Sequence, residues 1–177
     1  PSETAHAASA SASPRTVSRD PLPVNQVDDD PTSLRQDLEQ LADAWSQDGG
    51  EVGYPFWERA YRSWSADVMP GSTYKAYAVS YRQMLERARQ DLGSVDVSTD
   101  GSTVVRGMLT DAIDARIDAL NRHETIVNRS LGIEPDTPGP SVALVRQQAE
   151  DSLQKSYRLT REAMNRAQGQ LELLGGE

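Results

Sequence analysis

The residues best suited to metal chemistry lie between Asp96 and Gly101, where the sequence reads Asp-Val-Ser-Thr-Asp-Gly. This spacing matches the first half of a calcium-binding loop, in which oxygen atoms at alternate positions approach one ion. The match ends at the twelfth position, which is Gly107, although a calcium loop needs a bidentate glutamate there. We therefore predict that the segment is a turn that caps the following helix and that it binds no metal.

Histidine, a common general base and zinc ligand, occurs twice, as His6 and His123. Glu124 follows His123, but no second histidine stands four residues away, so the helical zinc pair is missing. No nucleophile is recognisable beside His123, and the chain contains no cysteine. The sequence thus predicts no catalytic residue, no cofactor and no metal, and it favours a non-enzymatic protein.

Aromatic residues are concentrated in one part of the chain. Nine of the ten occur between positions 45 and 81: Trp45, Tyr54, Phe56, Trp57, Tyr61, Trp64, Tyr74, Tyr77 and Tyr81. The spacing of most of them favours the core faces of helices, where rings stabilise one another. Because Arg59, Arg62 and Arg82 are interleaved, a protein-binding surface is a second interpretation. Base stacking on single-stranded nucleic acid is a third.

The overall charge argues against nucleic acid as a partner. The formal net charge is −9 and the isoelectric point is about 4.7, whereas nucleic acids and anionic membranes attract positively charged proteins. Hydrophobic residues make up 37% of the chain, so we expect a thin, elongated core. No apolar run reaches the roughly 18 residues of a membrane helix, and we expect a soluble protein without a membrane span.

The first 31 residues differ in composition from the rest of the chain. They are rich in alanine, serine and proline and end in the acidic run Asp28 to Asp30, so we predict a disordered or extended arm. A plain tail, an arm that docks on a neighbouring subunit and an export signal all fit this composition. It is similar to the N-termini of type III secreted bacterial proteins and of organellar transit peptides, which would imply export or import.

Amphipathic segments fill the remaining residues, 32–177, and predict a single all-α domain. The first three segments, 32–47, 55–68 and 72–92, are short and rich in aromatic residues. Asp30, or a capping box of Ser33 and Gln36, would start the first helix. Met69-Pro70-Gly71 would stop the second, and Gly93 would end the third.

The last two segments, 102–131 and 141–174, are long and are separated by a stretch rich in proline and glycine. They predict an antiparallel two-helix hairpin. Apolar residues recur on the final helix at spacings of three and four: Leu153, Tyr157, Thr160, Met164, Ala167, Leu171 and Leu174. We call this row the α5 seam, and a seam of this length needs a long partner helix to cover it.

The sequence favours an oligomeric interaction or assembly subunit of bacterial or viral origin, part of a virion or of a secreted assembly, whose partner is another protein or a second copy. The predicted contact residues come from the α5 seam and the aromatic set: Leu153, Tyr157, Met164, Leu171, Leu174, Trp57, Tyr61 and Trp64. A secreted bacterial effector or adaptor with an export signal at its N-terminus is the alternative. A helical enzyme with a site built from scattered acids ranks below both.

Overall fold

The computed structural model describes residues 29–48, 53–133 and 139–174. These residues form five helices and contain no strand. The helices are α1 (Pro31–Asp48), α2 (Tyr54–Ser65), α3 (Gly71–Ser94), α4 (Asp100–Ser130) and α5 (Val142–Leu174). The all-α prediction is confirmed, whereas the predicted N-terminal arm lies outside the described residues as far as position 28.

Helix α1 begins under a side-chain cap. The Asp30 carboxylate accepts hydrogen bonds from the Ser33 N–H at 2.9 Å and from the Ser33 hydroxyl at 2.8 Å. These bonds, the backbone bond first, lower the pKa of Asp30. Of the two predicted starts, the structure uses Asp30, and the side chain of Ser33 serves as a donor to it.

Helix α2 is shorter than predicted, because it ends at Ser65 instead of continuing to Val68. Asp67 adopts a left-handed conformation with φ of 57°, and the N–H groups of Asp67 and Val68 donate to the carbonyl oxygens of Trp64 and Ser63. This is the Schellman arrangement, which satisfies carbonyl groups at a helix end. Val68 consequently leaves the apolar face of α2 and is 78% exposed.

Glycine ends α4 in the same way but does not end α3. Gly132 has a φ of 67°, and its N–H donates to the carbonyl oxygen of Arg129. Gly93 lies inside α3, which continues to Ser94, so the prediction that Gly93 ends this helix is wrong. The cost of a glycine in the last turn of a helix is small enough for the packing of α3 to override it.

Helices α4 and α5 form the predicted antiparallel hairpin and share the most extensive contact in the molecule. Arg122, late in α4, donates to Gln148, early in α5, at 2.5 Å. At the other end, Gln170 of α5 lies beside Gly101 of α4. Small buried side chains of α4 permit this close approach; they are Ala112, Ala115 and Ala119.

The three shorter helices cover the hairpin along its length. Helix α3 runs antiparallel to α4, since Lys75 contacts Asn128 and Arg89 contacts Asp114, whereas α1 packs on α3 and α4 and the backbone of α2 packs on α3. Asp37 of α1 meets Ser102 near the start of α4, and Tyr61 of α2 stacks on His123 in its second half. The result is a helical bundle in which α3 and α5 run antiparallel to α4 and the shorter helices α1 and α2 pack on α3.

A buried carboxylate ties α1 to the start of α4. Asp37, which is 4% exposed, accepts hydrogen bonds from the N–H groups of Ser98 and Thr99 and from the hydroxyl groups of Thr99 and Ser102. Burial opposes its ionisation, but these hydrogen bonds outweigh burial and lower the pKa of Asp37. Hydrogen bonds from the protein therefore replace water around the ionised Asp37 carboxylate.

The segment from Asp96 to Thr99 leads into α4 and caps it, but Asp100 and Gly101, which were predicted to lie in the capping turn, are the first residues of the helix. Thr99 is the N-cap residue, and its side chain accepts from the Ser102 N–H, so α4 starts two residues earlier than predicted. Asp29 accepts from the N–H groups of Asp100 and Gly101 at 3.1 and 2.9 Å. The partial positive charge of a helix N-terminus favours such a carboxylate.

Candidate functional site

Helices α2, α3 and α4 bring most of the aromatic residues into one connected interior. At its centre, the indole N–H of Trp57 donates to the Tyr74 hydroxyl at 3.2 Å, and this hydroxyl lies 2.7 Å from Nδ1 of His123. Tyr61 stacks on His123 and Trp64 on Tyr74, at centroid distances of 4.9 and 4.4 Å. These residues therefore build a core, which was the first of the three interpretations of the aromatic set.

Burial determines the charge of His123. The Tyr74 hydroxyl accepts from Trp57 and shares a hydrogen bond with Nδ1, whose direction depends on which ring nitrogen carries the proton. Burial lowers the pKa of His123 from 6.5 to about 4, and the charges of Glu150 and Arg146 on α5 have smaller, opposing effects. At pH 7 the ring is an uncharged part of the core.

Arg116 of α4 is the one buried lysine or arginine among the described residues, with 4% of its surface exposed. Its Nε donates to the Ser156 hydroxyl at 3.1 Å and its Nη1 to the Tyr81 hydroxyl at 2.9 Å. Its Cζ lies 5.3 Å from the ring centre of Tyr54 and 5.5 Å from that of Tyr157. The ring faces and two hydroxyl groups thus hold the guanidinium in place.

Arg116 has no counter-charge within the described part of the chain. None of the ion pairs found there includes it. A guanidinium group has five N–H donors, and two of these are used by the Ser156 and Tyr81 hydroxyls. Three donors of a buried cation are therefore without a described protein acceptor, which is an unusual arrangement for a structural charge.

A cavity of about 500 Å³, which we call the Arg116 cavity, lies between the last turns of α1, the first turn of α2, and the helices α4 and α5. Its walls come from α1, α2, α4 and α5: Trp45, Tyr54, Pro55, Arg116, Tyr157, Thr160 and Arg161. The Tyr54 and Tyr157 hydroxyls lie 3.0 Å apart, and burial, followed by this hydrogen bond, raises the pKa of Tyr54. The buried indole N–H of Trp45 has no acceptor among the described residues.

A larger cavity of about 750 Å³ lies at the end of the bundle, between the α2–α3 turn and the start of α5. Two cations line it, and both already have partners. Arg129 donates to the Pro140 carbonyl oxygen, and Arg146 lies over the Trp64 ring at 5.9 Å. The Arg116 cavity is smaller, but Arg116, which lines it, is buried, whereas Arg129 is half-buried and Arg146 is exposed.

The predicted contact residues pack inside the bundle. Leu153 and Trp57 are buried in the core, and the others are partly buried and pack against it: Tyr157, Met164, Leu171, Leu174, Tyr61 and Trp64. The α5 seam is therefore covered to a large extent by the chain's own helices. A contact between these residues and a partner stays a prediction.

Two aromatic residues lie on the surface instead, on the faces of α2 and α3 that the helical pattern leaves out of the core. Phe56 is 67% exposed and Tyr77 is 44% exposed. With Gly53 and Met84 they border a cleft of about 150 Å³ between the two helices. We call this region the Phe56–Tyr77 face. Exposed large apolar side chains that border a cleft are typical of interaction surfaces.

Arg116 was not singled out from the sequence, and Phe56 was named only as a member of the aromatic set, yet the sequence contains a signal for each. Arg116 lies three residues after Ile113 and four before Leu120, so it occupies a core position on the apolar stripe of α4. Phe56 lies one residue before the core position of Trp57, where a large apolar side chain must point outward. A residue type that conflicts with its helical position was the signal in both cases.

No protein-family model matches this sequence, and comparison with curated proteins and with solved structures found no match either. Among the described residues, no helix has the length and apolar character needed to cross a membrane.

Proposed function

We propose that this protein is a non-enzymatic assembly protein that associates with copies of itself through the Phe56–Tyr77 face. The observation that carries the proposal is the 67% exposure of Phe56 on a helix whose neighbouring aromatic rings are packed in the core. A phenylalanine so exposed is costly in water, and its cost is relieved when a partner covers it. Aromatic residues are enriched at the centres of such interfaces.

Charge supports a second copy as the partner. From Tyr54 to Ser94 the sequence contains six basic and four acidic residues, although the whole chain carries −9. From Pro31 to Asp48 it contains one basic and four acidic residues, of which Asp37 is buried. The difference in the sign of the net charge between the α2–α3 segment and α1 favours the approach of a second copy.

The proposal is tested by the mass of the protein in solution. Light scattering after size-exclusion chromatography, over a range of protein concentrations, should detect a defined oligomer. The double variant Phe56→Ser/Tyr77→Ser should associate at least tenfold more weakly, since removal of interface aromatics costs about 2 kcal/mol or more. Leu173→Ser is the matched control, because Leu173 is 82% exposed at the end of α5.

Two results would contradict the proposal. One is a monomer at every concentration, and the other is an oligomer that the double variant leaves unchanged. Leu171→Asp tests the competing surface, the α5 seam. If that substitution dissociates the oligomer while the helices stay folded and the Phe56–Tyr77 face has no effect, the seam is the interface.

A further inference from the structure

We propose that the Arg116 cavity is a binding site for a small organic carboxylate with a flat, apolar body. This inference goes beyond self-association, because the cavity lies between α1, α2, α4 and α5, whereas the Phe56–Tyr77 face lies on α2 and α3. Its volume of about 500 Å³ is within the range of pockets that hold small molecules.

The negative charge of the ligand follows from the environment of Arg116. The chain buries this cation to 4% exposure, yet the described residues provide two neutral hydroxyl acceptors and two ring faces rather than a carboxylate. Burial of a charge is costly unless an opposite charge or enough hydrogen bonds compensate it. An anion in the adjoining cavity would occupy the remaining N–H donors of the guanidinium and complete its hydrogen bonding.

The geometry favours a carboxylate. The Tyr54 and Tyr157 rings and the hydroxyls of Tyr81 and Ser156 fix the plane of the guanidinium before a ligand arrives. A planar, fixed guanidinium matches the planar fork of a carboxylate, which accepts two parallel hydrogen bonds. Because the group is already ordered, binding does not require the loss of side-chain freedom that a surface arginine would suffer.

The other residues that line the cavity indicate the shape and polarity of the rest of the ligand. The rings of Trp45, Tyr54 and Tyr157 and the ring of Pro55 surround the cavity with flat carbon surfaces, against which an aromatic or other flat group packs well. Arg161, exposed on α5, provides a second positive charge that attracts an anion toward the cavity.

The first test measures binding of probes to the full chain by calorimetry and by ligand-detected NMR at pH 7. The probes are benzoate, phenylacetate and indole-3-acetate, their three uncharged amides, and inorganic phosphate. We expect at least one carboxylate to bind at one site per chain with a dissociation constant below about 1 mM, as ligand efficiency allows for molecules of this size. Its amide should bind at least tenfold more weakly, because it lacks the charge that Arg116 requires.

Variants connect this binding to the cavity. Arg116→Met should weaken binding at least tenfold, and Thr160→Phe, which fills the cavity without changing Arg116, should do the same. Arg161→Gln should weaken it by about two- to fivefold, as expected for a partly screened charge. Arg158→Gln is the control, because Arg158 is exposed on the same helix and pairs with Glu162, outside the cavity lining, and binding should be unchanged.

The chain's own carboxylates need a separate control. Asp48 and Glu51 are close in sequence to Trp45 and Tyr54, so the double variant Asp48→Asn/Glu51→Gln should bind the carboxylate as tightly as the unchanged protein or more tightly. The proposal is overturned if no carboxylate binds the unchanged protein, including the case in which a probe binds only this double variant. It is equally overturned if the amides bind as well as the acids, or if phosphate binds more tightly than every carboxylate.

Discussion

Asp37 and Arg116 are both charged, both 4% exposed and both located on the inner side of the bundle, but the chain treats them differently. Asp37 receives hydrogen bonds from backbone N–H groups and hydroxyls of the α4 cap, which satisfy most of its acceptor capacity. Arg116 receives two hydroxyl acceptors and adjoins a cavity. The comparison separates a charge that holds two helices together from a charge that is left available for a ligand.

The largest expected effect is the loss of the Asp37 carboxylate. Asp37→Ala leaves several buried donors without an acceptor, so the free energy of unfolding should fall by about 3 to 5 kcal/mol. Urea denaturation measures this change. Asp43→Ala, on the exposed side of the same helix, should change it by less than about 0.5 kcal/mol. Equal effects of the two substitutions would show that the hydrogen bonds to Asp37 contribute little.

The next effect is a dependence of stability on pH that comes from His123. The pKa of His123 is about 4 in the folded protein and 6.5 in the unfolded chain. Burial of the neutral ring therefore contributes fully to stability above pH 6.5. This contribution is lost as the pH falls toward 4, because the unfolded chain binds the proton first. The loss should amount to about 3 kcal/mol. The contribution of Asp37, whose pKa is lowered, disappears only below pH 3.8. Urea denaturation at several pH values should show the first phase, and His123→Gln should remove it.

A smaller effect is expected for Arg116, despite its equal burial. Arg116→Met replaces a cation without a described counter-charge by an apolar side chain of similar length, so the free energy of unfolding should change by at most about 1 to 2 kcal/mol. Urea denaturation of this variant beside Asp37→Ala tests the comparison directly. If Arg116→Met destabilises the protein as much as Asp37→Ala does, Arg116 is a structural charge, and its availability for a ligand is refuted.

The smallest effect is expected for Asp29, whose carboxylate accepts hydrogen bonds from the first two N–H groups of α4. Asp29→Asn retains the shape of the cap but removes its interaction with the helix dipole, so the free energy of unfolding should fall by about 0.5 to 1 kcal/mol. Thermal unfolding at low and high salt provides the measurement. The difference from the unchanged protein should shrink in high salt, because salt screens this interaction; a difference that salt leaves unchanged would point to packing instead.

Much of the fold could be predicted, because helices are encoded by short-range patterns. The buried face of α1, with Leu34, Leu38, Leu41 and Trp45, and the partly buried seam of α5 follow directly from spacings of three and four residues. Helix ends were predicted less well. A left-handed Asp67 ends α2 three residues early, and Gly93 does not end α3, since the choice among possible caps depends on how neighbouring helices pack.

The candidate cavity could be anticipated only in part. An arginine on the apolar stripe of α4 and a tryptophan at the end of the apolar face of α1 are visible in the sequence. That the two line the same cavity, together with two tyrosines that are 103 residues apart, is not visible there. Contacts of this range depend on the order and direction in which all five helices pack, which a local pattern does not contain.

The sequence by itself therefore determined the number and type of the elements, the hairpin and the faces that each helix buries, because these depend on periodicity, breakers and helix length. Only the tertiary structure decided that residues of α1, α2, α4 and α5 line a cavity beside Arg116 and that Phe56 and Tyr77 remain exposed. The physical reason is that the burial of an apolar group and the hydrogen bonding of a charged group depend on the positions of several helices at once, which no local pattern contains.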